Sequence, residues 1–143
     1  MELLPQKFVQ QNVAKIYHSL FAHDDAYRDP FQARIKHKLL LFYYSYGLHQ
    51  KEPWLEPVVR TMQELGEKGF YMALYPSTKP QEEPDHWYVP VEEAGTFYES
   101  TFPRENVIYS LNGQWGIIGS DEQHGIAGGN AFFYQAFLAA TSD

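Results

Sequence analysis

The hydrophobic periodicity of the chain changes once, near residue 70, and this change constrains the fold more than any other feature. Before it, apolar residues recur at the three- and four-residue spacing of amphipathic helices. After it come short β-prone runs separated by glycine, proline and asparagine, a pattern typical of antiparallel strands. The sequence therefore predicts an α+β fold with an N-terminal three-helix layer, an antiparallel β meander and a C-terminal helix.

Three helices are predicted before the change in period. The first covers residues 4–21. The second covers residues 31–48 behind an Asp29 N-cap, and because residues 39–46 are apolar on all sides, its leucines are expected in a central, buried helix. The third begins at Pro53 and ends at a glycine before residue 70.

The second part of the chain is predicted to be mostly strands. They cover residues 70–75, 86–89, 95–99, 107–110, 115–120 and 124–127. Asn112-Gly113 predicts a two-residue hairpin turn, since both of its central residues adopt a positive φ. Asn130 is expected to cap a final helix over residues 131–140. At 143 residues the chain is expected to form one domain, 1–143, with 1–69 helical and 70–143 holding the meander and the closing helix.

Charge is divided unevenly along the sequence. Residues 80–143 hold ten Asp or Glu and one basic residue, Arg104, whereas residues 1–79 hold eight acidic and ten basic residues. Aromatic residues are interleaved with these carboxylates, as in protein-binding patches that combine aromatic anchors with a charged rim. Such a surface favours a basic protein partner. The alternative is a solvated edge that keeps a small sheet from aggregating.

The residues predicted to bind this partner are acidic or aromatic, with one histidine. They are Glu82, Glu83, Asp85, Trp87, Tyr88, Glu92, Glu93, Asp121, Glu122 and His124. Trp115 is either a further anchor or part of the core.

Several functional classes are disfavoured by the sequence. The absence of cysteine excludes disulfides and thiolate metal sites, and the six histidines form no familiar metal-binding or catalytic motif. The glycines after residue 112 have no Lys or Arg nearby, which disfavours nucleotide binding. No basic stripe is present for nucleic acid. No apolar run is long enough to span a membrane and no signal peptide is recognisable, so a cytoplasmic protein without cofactor, metal or membrane contact is expected.

Residues 109–129 hold a turn, Trp115-Gly116, two aliphatic residues, a Ser-Asp-Glu-Gln-His segment and a Gly-Gly pair before the last helix. This segment resembles small bacterial immunity proteins that neutralise secreted toxins. The resemblance implies a cytoplasmic, non-catalytic inhibitor that binds a toxin domain, and it implies no particular contact residues.

The sequence thus predicts a protein-binding domain, most concretely an acidic inhibitor of a basic toxin domain. One alternative is a small-molecule enzyme or ligand-binding protein whose site lies between helices and sheet, with His124 and Glu122 as polar groups. The other is a structural homo-oligomeric domain. A deep pocket with convergent polar groups favours the enzyme, an acidic face favours the binding protein, and a large apolar two-fold patch favours the oligomer.

Overall fold

A seven-stranded antiparallel sheet forms the centre of the protein, in a computed structural model that describes residues 1–23, 29–42, 55–74, 85–94, 106–119 and 124–141. The strands are β1 (Glu2–Leu3), β2 (His37–Phe42), β3 (Gly69–Leu74), β4 (His86–Pro90), β5 (Asn106–Ser110), β6 (Trp115–Gly119) and β7 (His124–Gly129). Their order across the sheet is β1-β4-β3-β5-β6-β7-β2, and all neighbours are antiparallel. β1 and β2 are therefore its two edges.

Three helices accompany the sheet in the described part of the chain. α1 is α-helical over Gln6–Phe8, widens to a π-helix over Val9–Val13, and is α-helical again over Ala14–Leu20. α2 covers Leu55–Leu65 and α3 covers Ala131–Thr141. A single 3-10 turn, Val91–Glu93, follows β4.

The helices pack on opposite faces of the sheet and form two cores. Successive side chains of a strand point to opposite faces, so Val107 and Tyr109 of β5 face α1 while Ile108 faces α2 and α3. The α1 core includes Val9, Val13, Leu20, Phe21, Ile118 and Ile126. The other core includes Val58, Met62, Met72, Trp115, Ile117, Phe133 and Phe137. Because α1 and α2 lie on different faces, they do not form the predicted three-helix layer.

The predicted helix over residues 31–48 is wrong at residues 37–42, which form the edge strand β2. Six consecutive residues of β2 pair with β7, and residues 43–48 lie outside the described ranges. Leu39 packs against the core beside α3, but Leu40 is 61% exposed, so its predicted burial is also wrong. Asp29 does not cap a helix; its carboxylate accepts a hydrogen bond from the Phe31 N–H and forms an ion pair with Lys38.

The β5–β6 hairpin is confirmed, although its turn is longer than the two residues predicted. Residues 111–114 connect the strands, and Gly113 has φ 73°. The Ser110 hydroxyl accepts hydrogen bonds from the N–H groups of Gln114 (2.7 Å) and Trp115 (3.2 Å), which fixes this four-residue connection.

The predicted last helix is confirmed, and the predicted third helix is confirmed over Leu55–Leu65, whereas its predicted start at Pro53 lies outside the described residues. Asn130 caps α3, because its side-chain oxygen accepts the Phe133 N–H at 2.8 Å. α2 ends at Gly66, whose φ of 74° suits glycine. The predicted strand over residues 95–99 lies outside the described residues.

Candidate protein-binding edge

The edge strand β1 is short, and among the described strands it pairs only with β4. Glu2 pairs with Tyr88 and Leu3 with Trp87, and the Leu4 N–H donates to the His86 carbonyl at 2.9 Å. In an antiparallel ladder, hydrogen-bonded and non-hydrogen-bonded pairs alternate. Since Leu4 is hydrogen-bonded to β4, the N–H and C=O of Leu3 point away from β4, toward the outer side of the sheet.

An apolar pair lies at the middle of this edge. Leu3 is opposite Trp87 in a non-hydrogen-bonded position, where cross-strand side chains are closest. Trp87 is half-buried and packs against the core beneath α2 and α3, whereas Leu3 is 55% exposed. The edge thus presents an exposed aliphatic side chain next to an indole that the core holds in place.

Four carboxylates lie on β1 or on the segments that meet its two ends. Asp85 lies near the C-terminal end of β1 and accepts a hydrogen bond from the Gln6 side chain at 3.2 Å. Glu93 lies near the N-terminal end and accepts one from the Met1 ammonium at 2.7 Å. Glu2 and Glu92 are exposed. We call β1 with Glu2, Asp85, Glu92 and Glu93 the acidic edge.

Half of the residues predicted to bind a partner are found together at this edge: Asp85, Trp87, Tyr88, Glu92 and Glu93. The two aromatic residues do not form one patch, because they are adjacent in β4 and point to opposite faces. Tyr88 lies on the α1 face with its ring over Gly69. Burial, and next the proximity of Tyr88, raise the pKa of Tyr71 on the same face.

The other predicted binding residues are not placed at the acidic edge. The backbone of His124 is in β7, four strands from β4, which corresponds to roughly 19 Å at ordinary strand spacing. Glu82, Glu83, Asp121 and Glu122 lie outside the described residues. Two residues of the edge, Glu2 and Leu3, were not predicted from the sequence, since a two-residue strand has no recognisable period.

Trp115 belongs to the core. It is 1% exposed, and its ring meets that of Phe133 edge to face at a centroid distance of 5.1 Å. Its indole N–H donates to the Glu67 carboxylate at 2.8 Å. Burial raises the pKa of Glu67, and the hydrogen bond from Trp115 opposes part of that increase.

The polar groups nearest to an enzyme-like arrangement are inside the α1 core. The Tyr109 hydroxyl is hydrogen-bonded to Nδ1 of His86 at 2.7 Å, and both residues are fully buried beneath Tyr17. A separate shallow cleft lies between β2, β7 and α3. It is lined mainly by apolar residues, with His37 and Tyr134 beside them, and it has no interior volume that would hold a water molecule. Across the described ranges, no three His, Asp or Glu residues are grouped so that they would hold a metal ion.

The chain has no significant match among protein-family models, curated proteins or solved structures. None of the described helices is both long enough and apolar enough to cross a membrane.

Proposed function

We propose that the protein is a non-catalytic binding domain that captures a basic protein partner at its acidic edge. The observation that supports this proposal is that one short edge strand combines the exposed Leu3, next to the core-anchored Trp87, with carboxylates on the strand and at both of its ends. Protein interfaces combine an apolar or aromatic centre with a polar rim. The acidic edge has this composition within the length of one short strand.

The negative charge of the acidic edge favours a positively charged partner. Asp85 and Glu93 stand at opposite ends of β1, and Glu2 and Glu92 add exposed charges between and beside them. In sequence, Glu82 and Glu83 precede Asp85 by three and two residues. A field of one sign accelerates the capture of an oppositely charged protein and loses this effect as salt increases.

More specifically, the protein is proposed to be an immunity protein that acts in the cytoplasm against a basic toxin domain. The support is the resemblance of residues 109–129 to such proteins together with the acidic edge. Residues 115–119 are buried, so this segment contributes to the fold, and the acidic edge supplies the contacts.

The test begins with the genes next to the one that encodes this chain. A basic toxin domain encoded there is produced in an inactivated form, and its association kinetics with the chain are measured. The binding variant is Glu2→Lys with Glu92→Lys, and the matched control is Glu56→Lys with Glu64→Lys on α2, which changes the net charge equally at exposed positions. At low salt we expect the binding variant to associate about tenfold or more slowly than wild type, and the control to remain near wild type.

Two further measurements complete this test: the salt dependence of the association rate and the dissociation rate of a Leu3 variant. The wild-type rate is expected to fall steeply with salt, and the rate of the binding variant to fall much less. Leu3→Ala is expected to act mainly on the dissociation rate, because it removes an apolar contact and no charge. Equal association rates for wild type and the binding variant at both low and high salt would refute the proposal.

A further inference from the structure

We infer that the partner binds by adding an extended segment, with alternating basic and apolar side chains, as a strand on the outer side of β1. This inference rests on the proposed function and specifies the kind of partner that the acidic edge accepts. Strand addition to a sheet edge derives affinity from main-chain hydrogen bonds and specificity from alternate side chains.

The backbone of Leu3 is oriented for this addition. Its N–H and C=O point outward, because the hydrogen bond from Leu4 to His86 assigns the inward positions to Glu2 and Leu4. Leu3 is 55% exposed, and among the described strands none pairs with β1 on the side away from β4. Leu3 would thus offer an added strand one hydrogen-bond donor, one hydrogen-bond acceptor and an exposed side chain.

The two faces of the edge select different side chains on the added strand. On the face of α2 and α3, the neighbours are Leu3 and Trp87, which suit an apolar residue. On the face of α1, the neighbour is Glu2, which suits Lys or Arg. Since side chains of a strand alternate between faces, the matching segment alternates apolar and basic residues. Asp85 adds negative charge at one end of the pairing, whereas Glu93 at the other end is ion-paired with the Met1 ammonium.

The same charges argue against a second copy of this chain as the occupant. Pairing of β1 with β1 of another copy would bring two acidic edges together, and like charges placed opposite each other in a sheet are destabilising. A basic segment relieves this repulsion.

The strand pairing is limited in length. The next outward position after Leu3 is Pro5, which has no N–H, and its carbonyl already accepts the Val9 N–H at 3.0 Å. Main-chain pairing therefore does not extend past Leu3 toward α1, and the carboxylates must supply much of the affinity. A short peptide is expected to bind weakly, with a dissociation constant on the order of 0.1–1 mM at low salt.

The experiment uses an N-acetylated, C-amidated peptide of six residues that alternates lysine and valine. The control peptide has the same sequence with every backbone amide N-methylated, so it keeps the charge and the side chains but cannot pair as a strand. Binding to the full-length protein is followed by NMR titration, with the Leu3 amide as the reporter. We expect the unmodified peptide to shift the Leu3 amide and to bind at least fivefold more tightly than the methylated peptide.

Two protein variants separate the backbone contribution from the side-chain contribution. Leu3→Ala keeps the outward N–H, whereas Leu3→Pro removes it, and proline is tolerated at a sheet edge. Leu3→Pro is expected to bind the peptide about fivefold more weakly than Leu3→Ala. The titration of wild-type protein with the two peptides does not depend on whether Leu3→Pro folds.

The outcomes distinguish this inference from the proposed function. If both peptides bind equally and Glu2→Lys with Glu92→Lys weakens both, the edge binds by charge alone, and strand addition is overturned while the proposed function stands. If neither peptide binds although the toxin domain does, strand addition is likewise overturned. If the Leu3 amide becomes protected as the protein alone is concentrated, the occupant is a second copy, which also overturns the inference.

Discussion

Gly116→Ala should destabilise the protein through one identifiable contact. A Cβ at residue 116 would lie 2.5 Å from Cζ of Phe21, which is 0.9 Å inside the 3.4 Å lower limit of ordinary contact (3.4 − 2.5). Phe21 is 1% exposed and stacks on Phe31 at 5.1 Å, so its ring has little room to move. Overpacking of this kind costs about 1–3 kcal/mol of unfolding free energy. For a domain of this size, that corresponds to a decrease in Tm of roughly 4–12 °C.

A double-mutant cycle identifies the contact. Phe21→Leu removes the ring atoms that the new Cβ would meet, so the double variant should be more stable than the sum of the two single changes by about 1 kcal/mol. The control pairs Gly116→Ala with Phe137→Leu, which lies in the core on the other face and should show additive effects. Unfolding free energies come from urea titrations followed by circular dichroism. Additivity of Gly116→Ala and Phe21→Leu would refute the packing of α1 against β6.

Two other predictions concern Glu67 and the edge strand β2. Burial raises the pKa of Glu67 in the folded state above its ordinary 4.5, and the hydrogen bond from Trp115 lowers it by a smaller amount. The folded state therefore binds the Glu67 proton more tightly than the unfolded state does. The contribution of Glu67 to stability consequently falls as pH rises from 4.5 through the raised pKa. Glu67→Gln, which keeps an acceptor for the Trp115 indole, should gain stability relative to wild type as pH rises; a constant difference in urea unfolding from about pH 4 to pH 8 would contradict this. Leu40→Ala should change stability by less than about 0.5 kcal/mol because Leu40 is 61% exposed. Leu39→Ala should decrease the unfolding free energy by about 2 kcal/mol because Leu39 packs against the core. A larger decrease for Leu40→Ala than for Leu39→Ala would show that β2 is placed with the wrong face inward.

The elements that the sequence predicted correctly have strong local signals. α2 combines helical periodicity with a terminal glycine, and α3 begins after an asparagine that caps it. The β5–β6 hairpin follows from Asn112-Gly113 between two β-prone runs. These signals act within a few residues, so they do not depend on the rest of the fold.

β2 was mispredicted because its sequence carries no period. After His37 and Lys38, its residues 39–42 are all apolar, and such a run is equally compatible with a helix covered on all sides and with a strand. Its pairing with β7 connects residues that are more than 80 positions apart, such as Phe42 and His124. No local pattern indicates such a partner. β1 was missed for the same reason, since its two residues pair with Trp87 and Tyr88.

The acidic edge was predictable in composition and unpredictable in arrangement. The carboxylates Asp85, Glu92 and Glu93 were evident from the sequence, and so was their proximity to Trp87. That Glu2 and Leu3 join them depends on the long-range pairing of β1 with β4. That Trp87 and Tyr88 point to opposite faces follows from strand alternation, once β4 is known to be a strand covered on both sides.

The order in which the ribosome releases the chain has a consequence for α1. This helix is synthesised well before its partners in the core, which include Val107, Tyr109, Ile118 and Ile126. At about 5–20 residues per second, the interval is roughly 5–25 s. During that time the apolar stripe of α1 has none of these partners, so folding of this layer is completed only after residue 126 has emerged.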